Sequence, residues 1–395
     1  ETPDPLVIDR TVYRSRLDRW LHGTHRHVYT LDPDAESVER VTEGDRDHLA
    51  PAWGDASTLY YAVKRGEDPD DTVEYEVEAA DLEAGTAETV FGTTGFPERL
   101  RATPDGRIAH PYAPEDKAGL RQQEVHVFER ETGETHESTA SVDRDAGAFE
   151  WGPDDETLFV AMPDEGSTAL RRLDWQGGDG EVVHREGEMD AFHVGADRAV
   201  LVQSEWDHPG DVFLVDADGG ETERLTEVNR EFLESRAVAE PEELTFESDG
   251  EEIQGWVLSP PEAESGEEHP LAVEIHGGPH IMWSSAGSMW HEFQTLAARG
   301  YVVFWCNPRG SSGYGEAFRM ANERDWGEVT IADVTAGADL VAEREDVDAD
   351  SQFVTGGSFG GYMTAWIVGH TDRFDGAVAQ RGVYHLLGLY GTTDE

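Results

Sequence analysis

Short hydrophobic runs recur along the first 240 residues, and each leads into an acidic or glycine-containing turn. The runs lie at residues 27–32, 77–82, 125–130, 170–174 and 212–216. Between them, a turn followed by a short apolar strand repeats at residues 52–61, 102–109 and 150–160. The recurrence of roughly 40 to 50 residues is the period of β-propeller blades. It predicts about five blades of an N-terminally incomplete β-propeller over residues 1–238, and its regularity favours a propeller over a β-sandwich.

The pattern changes near residue 240, where strands begin to alternate with helices. A hairpin is predicted over residues 244–258, and a polar loop rich in proline and glutamate follows it. Predicted strands at 271–275, 301–306, 353–355 and 374–379 alternate with predicted helices at 287–298, 331–345 and 359–369. Such alternation predicts a mostly parallel sheet with helices on both faces over residues 239–395.

A Gly-x-Ser-x-Gly motif lies where one predicted strand passes into a helix, at Gly356, Ser358 and Gly360. In α/β-hydrolases this strand-turn-helix context presents a nucleophilic serine on a tight turn. The small neighbours relieve crowding there, and the helix N-terminus favours developing negative charge. We therefore predict that residues 239–395 are part of an α/β-hydrolase domain with Ser358 as its nucleophile. The alternative is an ordinary serine in a glycine-rich turn.

An acyl-transfer enzyme also needs hydrogen-bond donors for the oxyanion. The backbone N–H of Phe359, directly after the nucleophile, is the first predicted donor. The second is expected from the loop after an earlier strand, where the chain reads His276-Gly277-Gly278-Pro279. We assign it to the N–H of Gly278, with Gly277 as the alternate. The other interpretation of this loop is a plain Gly-Pro turn.

The composition points to a protein that works in concentrated salt. The formal net charge is −54, from 84 acidic and 30 basic residues, and only two of the basic residues are lysines. The acids are spread evenly, and 37% of residues are hydrophobic, which supports a folded core under an acidic surface. Salt screens such repulsion within a few ångströms. We expect a halophile with a salt-rich cytoplasm as the source, and neither nucleic acid nor a membrane as partner.

Four motifs occur together in an order typical of one peptidase family. They are His276-Gly277-Gly278-Pro279, residues 307–315, Asp325-Trp326-Gly327 with Asp333, and the Ser358 turn. The chain resembles the prolyl oligopeptidase family over residues 240–395, in its acylaminoacyl-peptidase and dipeptidyl-peptidase-like branch, and is of a haloarchaeal type. The resemblance implies a serine peptidase that forms an acyl-enzyme and removes N-terminal acylamino acids or dipeptides from short peptides. It also implies a propeller that admits peptides and excludes folded proteins.

Two other functions remain open at this point. One is an esterase of the same fold, against which the propeller argues. The other is a non-catalytic propeller module that binds peptides, against which the Ser358 turn argues. A homo-oligomer is also left open.

The acid and the base of a triad should follow the nucleophile in chain order. His370 and His385 lie too early for the base, and Asp372, Asp375 and Asp394 too early for the acid. We therefore expect a sequence truncated at both ends, with the triad Asp and His beyond Glu395. The chain as given is expected to have little hydrolase activity, because loss of triad members costs about 10⁴-fold.

Other candidate sites are less strongly supported by the sequence. His22, His25 and His27 form a cluster, but no cysteine or carboxylate spacing completes a metal site, so solvated strand ends are favoured. No metal or cofactor is expected. Arg309 either steadies the oxyanion loop or the substrate, or forms a structural ion pair with Asp333.

Overall fold

A computed structural model describes residues 7–8, 11–13, 21, 23–66, 69–264 and 266–390. Within these residues, the N-terminal part forms five antiparallel sheets, one of two strands and four of four strands. The strands of this part are β1 (Tyr29–Asp32), β2 (Ser37–Arg40), β3 (His48–Trp53), β4 (Thr58–Val63), β5 (Glu74–Asp81), β6 (Thr86–Thr94), β7 (Arg101–Ala102), β8 (Arg107–Tyr112), β9 (Glu124–Glu129), β10 (Glu134–His136), β11 (Phe149–Trp151), β12 (Thr157–Asp164), β13 (Ser167–Asp174), β14 (Glu181–His184), β15 (Glu188–Val194), β16 (Arg198–Glu205), β17 (His208–Asp216) and β18 (Thr222–Arg224). Each larger sheet contains four consecutive strands, the unit of a propeller blade.

Successive sheets pack face to face through side chains that alternate along their inner strands. On β12, Leu158 and Val160 join a buried cluster with Val127 of the preceding sheet. Phe159 points to the opposite face and joins Leu201 of the following sheet. Because consecutive side chains of a strand face opposite ways, one apolar strand serves two neighbouring sheets. The short apolar strand in each repeat therefore lies at the centre of its sheet.

In two of the three copies of the recurring turn, an aspartate holds the turn. Asp55 accepts hydrogen bonds through Oδ1 from the backbone N–H groups of Ser57 and Thr58, both at 2.8 Å. Asp154 accepts the same two bonds from Glu156 and Thr157, both at 3.0 Å. A carboxylate that bonds the backbone two and three residues ahead closes a tight turn. These two copies of the sequence repeat therefore share the same turn chemistry.

The C-terminal part forms a six-stranded sheet in the order β19-β20-β22-β21-β23-β24. Its strands are β19 (Glu242–Ser248), β20 (Glu251–Leu258), β21 (His269–Ile275), β22 (Val302–Cys306), β23 (Val347–Gly357) and β24 (Gly376–Gln380). Three of the five pairings are parallel, and the two that involve β20 are antiparallel. The helices are α1 (Arg230–Leu233), before the sheet, then α2 (Trp290–Ala298), α3 (Glu316–Arg319), α4 (Glu328–Ala342), α5 (Phe359–His370) and α6 (Leu386–Tyr390). The placing of a domain boundary at residues 238 and 239 stays a prediction.

Helices cover both faces of this sheet. On one face, Val273 and Phe304 pack with side chains of α4 and α5, including Val334 and Met363. On the other face, Trp305 packs against Phe293 of α2, and their rings stack with centroids 4.4 Å apart. The sheet is therefore buried from both sides, and its strand ends form one rim on which residues of different segments meet.

Arg309 forms a buried ion pair with Asp333 of α4. Its backbone N–H donates to Asp333 Oδ2 at 2.8 Å, and its Nη2 donates to Asp333 Oδ1 at 2.6 Å. Nη2 also donates to Asp249 Oδ2 at 3.0 Å. The Asp333 side chain is fully buried, so this guanidinium is what keeps its charge compensated. Of the two roles considered from the sequence, the structure shows the ion pair.

We expect Arg309→Gln to lower the free energy of unfolding by about 3 kcal/mol, because it leaves a buried carboxylate without its cation. Urea unfolding in concentrated salt would measure this change. Arg230→Gln is the matched control, since Arg230 pairs with Glu227 and Glu234 on the exposed surface of α1. Its unfolding midpoint should stay that of the wild type. Equal effects of the two substitutions would contradict the structural role of Arg309.

Candidate active site

Ser358 lies at the junction of β23 and α5 in a backbone conformation that is unusual for a residue with a side chain. Its φ is 55° and its ψ is −116°. Its N–H donates to the carbonyl of Gln380 at 3.0 Å, and its own carbonyl accepts from the N–H of Tyr362 at 3.0 Å. Ser358 itself is exposed. Such a left-handed serine is a strained turn held in place by its neighbours, which is the geometry expected of a nucleophile elbow.

Two glycines allow this turn to pack against β21. A Cβ atom on Gly360 would lie 2.0 Å from the carbonyl oxygen of Ile275. A Cβ atom on Gly356 would lie 2.5 Å from the same oxygen. Both distances are far inside van der Waals contact. The motif glycines are therefore required by the close approach of three backbone segments.

His276 fixes the orientation of the loop opposite Ser358. Its Nδ1 lies 2.7 Å from the Gly277 carbonyl oxygen, and its Nε2 lies 2.9 Å from Ser311 Oγ. Burial lowers the pKa of His276 to about 4, so the ring is neutral at ordinary pH. In a neutral ring Nδ1–H donates to the Gly277 carbonyl, while the Ser311 hydroxyl lies between His276 Nε2 and the Pro308 carbonyl, which it contacts at 2.7 Å.

This arrangement also directs the next N–H of the loop. No peptide bond of the described residues is cis, so the Gly278 N–H points opposite to the Gly277 carbonyl. The carbonyl faces buried His276, and Gly278 is exposed. The Gly278 N–H is therefore turned away from the domain interior. Gly277 makes the closer approach to the nucleophile, because a Cβ on it would lie 3.5 Å from Ser358 Cβ.

A cavity of about 480 Å³ opens beside Ser358. Its lining residues come from the rim of the sheet, the loop before α2 and the segment after β24: Glu274, Gly277, Ile281, Trp283, Ser288, Met289, Glu292, Gly356, Gly357, Ser358, Gln380 and Arg381. Glu274 is the unexpected member, because it lies within the apolar run of β21. It is 2% exposed, and its Oε1 has no hydrogen-bond partner among the described residues. Burial, with a smaller effect of Glu292, raises the pKa of Glu274 to about 8.

Arg319 connects the loop after β21 to the N-terminal sheets. Its Nη1 donates to the His280 carbonyl at 3.2 Å and to Asp145 Oδ2 at 2.8 Å. Its Nε donates to the Leu120 carbonyl at 2.7 Å. Leu120 and Asp145 lie in loops that flank β9 and β10. One buried guanidinium therefore binds both parts of the chain, and the sequence motifs gave no sign of it.

Three residues that follow Ser358, namely His370, His385 and Asp375, form hydrogen bonds with other groups. His370 Nδ1 bonds to the Trp366 carbonyl at 2.7 Å, and His385 Nδ1 accepts from the Gly388 N–H at 3.0 Å. Asp375 Oδ2 accepts from the Gln352 N–H at 3.1 Å, and Asp394 lies outside the described residues. Within the part of the chain that the structure describes, no hydrogen bond joins the Ser358 hydroxyl to a histidine or a carboxylate.

Possible metal ligands lie away from this cavity. His25 and His27 contact Asp47 and Thr42 respectively, and His22 is outside the described residues. A group that the sequence did not suggest is Glu205, Asp207 and His208, whose ligand atoms lie within 4.8 Å of one another at the β16–β17 turn. Two carboxylates and an imidazole could hold a divalent cation there. The group takes no part in the Ser358 cavity.

The family model described as the prolyl oligopeptidase family matches residues 287–395, which include the Ser358 turn. Residues 287–395 are therefore similar to members of the prolyl oligopeptidase family. The chain is 35% identical to the uncharacterized peptidase YuxL of Bacillus subtilis over 62% of this chain and 37% of that protein. It is 24% identical to dipeptidyl-peptidase 5 of Porphyromonas gingivalis over 77% of this chain and 45% of that protein. The chain thus spans less than half the length of these curated relatives.

The fold of this chain is also that of a solved peptidase. The acylaminoacyl peptidase of Pyrococcus horikoshii superposes with a TM-score of 0.85 at 22% identity, over 100% of this chain and 62% of that one. The likeness shows the architecture of antiparallel sheets followed by a mostly parallel sheet that helices cover. No helix of the described residues is both long enough and apolar enough to pass through a bilayer.

We expect Gly360→Ala to lower the free energy of unfolding by about 3 kcal/mol, because its Cβ would overlap the Ile275 carbonyl. Gly369→Ala is the control in the same helix, since nothing lies within 4 Å of its would-be Cβ. That substitution should raise stability by about 0.5 to 1 kcal/mol. Urea unfolding of both variants measures the difference. Two alanine variants of similar stability would show that the elbow is not closely packed.

We expect Glu274→Gln to stabilise the protein increasingly as pH rises from about 4.5 to about 8. Below 4.5 the Glu274 carboxyl is protonated in both the folded and the unfolded state, so its pKa shift has no effect. Above 4.5 the unfolded state ionises it and the folded state does not, so wild-type stability falls until the folded pKa of about 8 is reached. The difference between variants should grow by about 1 kcal/mol per pH unit. A constant difference across this range would contradict the raised pKa.

Proposed function

We propose that this protein is a serine peptidase that hydrolyses short peptides through an acyl-enzyme at Ser358. The observation that supports this most directly is the exposed Ser358 on a strained turn. It faces a loop in which His276 contacts the Gly277 carbonyl. The match of residues 287–395 to the prolyl oligopeptidase family model and the peptidase names of the relatives support the same activity.

In the proposed reaction, Ser358 Oγ attacks the scissile carbonyl carbon and its proton passes to a general base. The negative charge that develops on the substrate oxygen is stabilised by the N–H groups of Phe359 and Gly278. Phe359 is the first residue of α5, so its N–H is not needed by the helix. Collapse of this intermediate expels the amine and leaves an ester on Ser358, which water then hydrolyses. The described residues supply the nucleophile and the donors, whereas the base and its orienting acid are not among them.

The proposed substrates are peptides from which an N-terminal acylamino acid or a dipeptide is removed. The names dipeptidyl-peptidase 5 and acylaminoacyl peptidase among the similar proteins support this class. The sheets also stand close to the cavity. Glu188 of β15 accepts from Ser284 Oγ at 2.6 Å, and Ser204 accepts from the Gly287 N–H at 3.0 Å. Sheets beside the cavity would exclude large substrates and admit small ones.

We also propose that the protein works in a salt-rich cytoplasm. The support is the net charge of −54, whose self-repulsion concentrated salt would screen. Assays therefore belong in concentrated potassium or sodium chloride.

The full-length gene product is expected to cleave acyl-peptides or free-amine dipeptide derivatives. Ser358→Ala should lower this rate by about 10⁴-fold or more, because the attacking oxygen is lost. Hydrolysis of acyl-peptide, dipeptide and simple ester substrates in concentrated salt measures it. A strong preference for simple esters would favour an esterase. Peptide binding without Ser358-dependent hydrolysis would favour a non-catalytic module, and either result would overturn the proposal.

A further inference from the structure

Glu274 presents a buried carboxyl to the cavity, and its Oε1 has no hydrogen-bond partner among the described residues. In the sheet it lies between Trp305 of β22 and Thr355 of β23. Its neighbours Val273 and Ile275 point into the core that α4 and α5 cover. Because side chains alternate along a strand, Glu274 faces the other side, toward α2 and the cavity. An apolar residue would fill this site without cost, whereas a buried carboxyl without a partner is unfavourable.

The surrounding charges do not compensate this carboxyl. Glu292, on the first turn of α2, is a second acid of the same cavity and raises the pKa of Glu274 further. Arg381 lines the cavity as well, but no ion pair joins it to Glu274 in the described part of the chain. The empty site can keep Glu274 uncharged, since its pKa is near 8. A bound cation would favour the ionised form and supply the missing partner.

We propose that Glu274 is the floor of a cation-binding subsite in the Ser358 cavity, and that it receives a positively charged group of the peptide substrate. This inference rests on the proposed function and adds a substrate preference to it. Glu292 contributes further negative charge at the same side of the cavity.

The position of Glu274 suits two cationic groups of a peptide. Glu274 lies beside Thr355 in the sheet, and Thr355 precedes Ser358 by three residues. Glu274 and Ser358 are therefore roughly 10 Å apart along the strand direction. A lysine or arginine side chain on the acyl side of the scissile bond can extend over most of this length. The free N-terminal amine of a dipeptidyl group can also reach it. Both groups donate charge-assisted hydrogen bonds to a carboxylate.

Three peptide amides of equal length distinguish these sources. Acetyl-alanyl-norleucinamide is neutral, acetyl-alanyl-lysinamide has only a cationic side chain, and alanyl-norleucinamide has only a cationic amine. Isothermal titration calorimetry in concentrated salt would give their dissociation constants with the wild type. One cationic peptide is expected to bind about tenfold more tightly than the neutral one. Which of them does so identifies the cationic group.

Glu274→Gln keeps the shape of the side chain and removes its charge. It should abolish the preference for the cationic peptide and leave the affinity for the neutral peptide unchanged. Glu345→Gln, at an exposed site just after α4, is the matched control and should behave as the wild type. If the Gln variant no longer binds the neutral peptide, Glu274→Asp provides the test, because it keeps a carboxyl that is shorter by one carbon. A reduced preference is then expected.

The outcomes separate this inference from the proposed function. Equal affinity of the wild type for all three peptides would overturn the cation subsite and leave a peptide-binding cavity intact. The role of Glu274 would also be overturned if the Gln variant still preferred the cationic peptide. The same holds if the Asp variant showed an undiminished preference for that peptide. Failure of every peptide to bind the wild type would overturn both proposals.

Discussion

The close approach of Ser358's turn to β21 is the constraint on which the candidate site depends. The serine adopts a left-handed backbone, and Gly356 and Gly360 both meet the carbonyl oxygen of Ile275. Strain of this kind costs about 1 to 3 kcal/mol and persists only where the surrounding packing holds it. That packing is the helix-covered parallel part of the sheet. The nucleophile and the His276 loop therefore occupy neighbouring strand ends, as the parallel order of β21 and β23 requires.

Elements whose signals are local in sequence could be predicted. The strand expected at residues 271–275 is β21 (His269–Ile275), and the helix expected at 359–369 is α5 (Phe359–His370). Hydrophobic periodicity and the glycine motif act over a few residues, so the sequence shows them directly. The recurring turns were also visible, and two of them depend on an aspartate and the two or three residues that follow it.

Contacts between distant segments could not be predicted in the same way. The bond from Arg319 to the Leu120 carbonyl joins residues 199 positions apart, and no motif records it. The surroundings of Glu274 are a second example. An acid within an apolar strand does not indicate whether a hydrogen-bond partner will face it. Its environment depends on where α2 places Glu292. The ion pair of Arg309 with Asp333 was one of two alternatives from the sequence, and only the packing of α4 decided between them.

The bonds of Arg319 have a mechanical consequence. The same guanidinium binds the His280 carbonyl next to the His276 loop and two groups in the loops around β9 and β10. A hinge motion that separates the N-terminal sheets from the six-stranded sheet must either break these bonds or pull the His280 backbone with it. Any separation of the two parts is thereby coupled to the position of the loop beside Ser358.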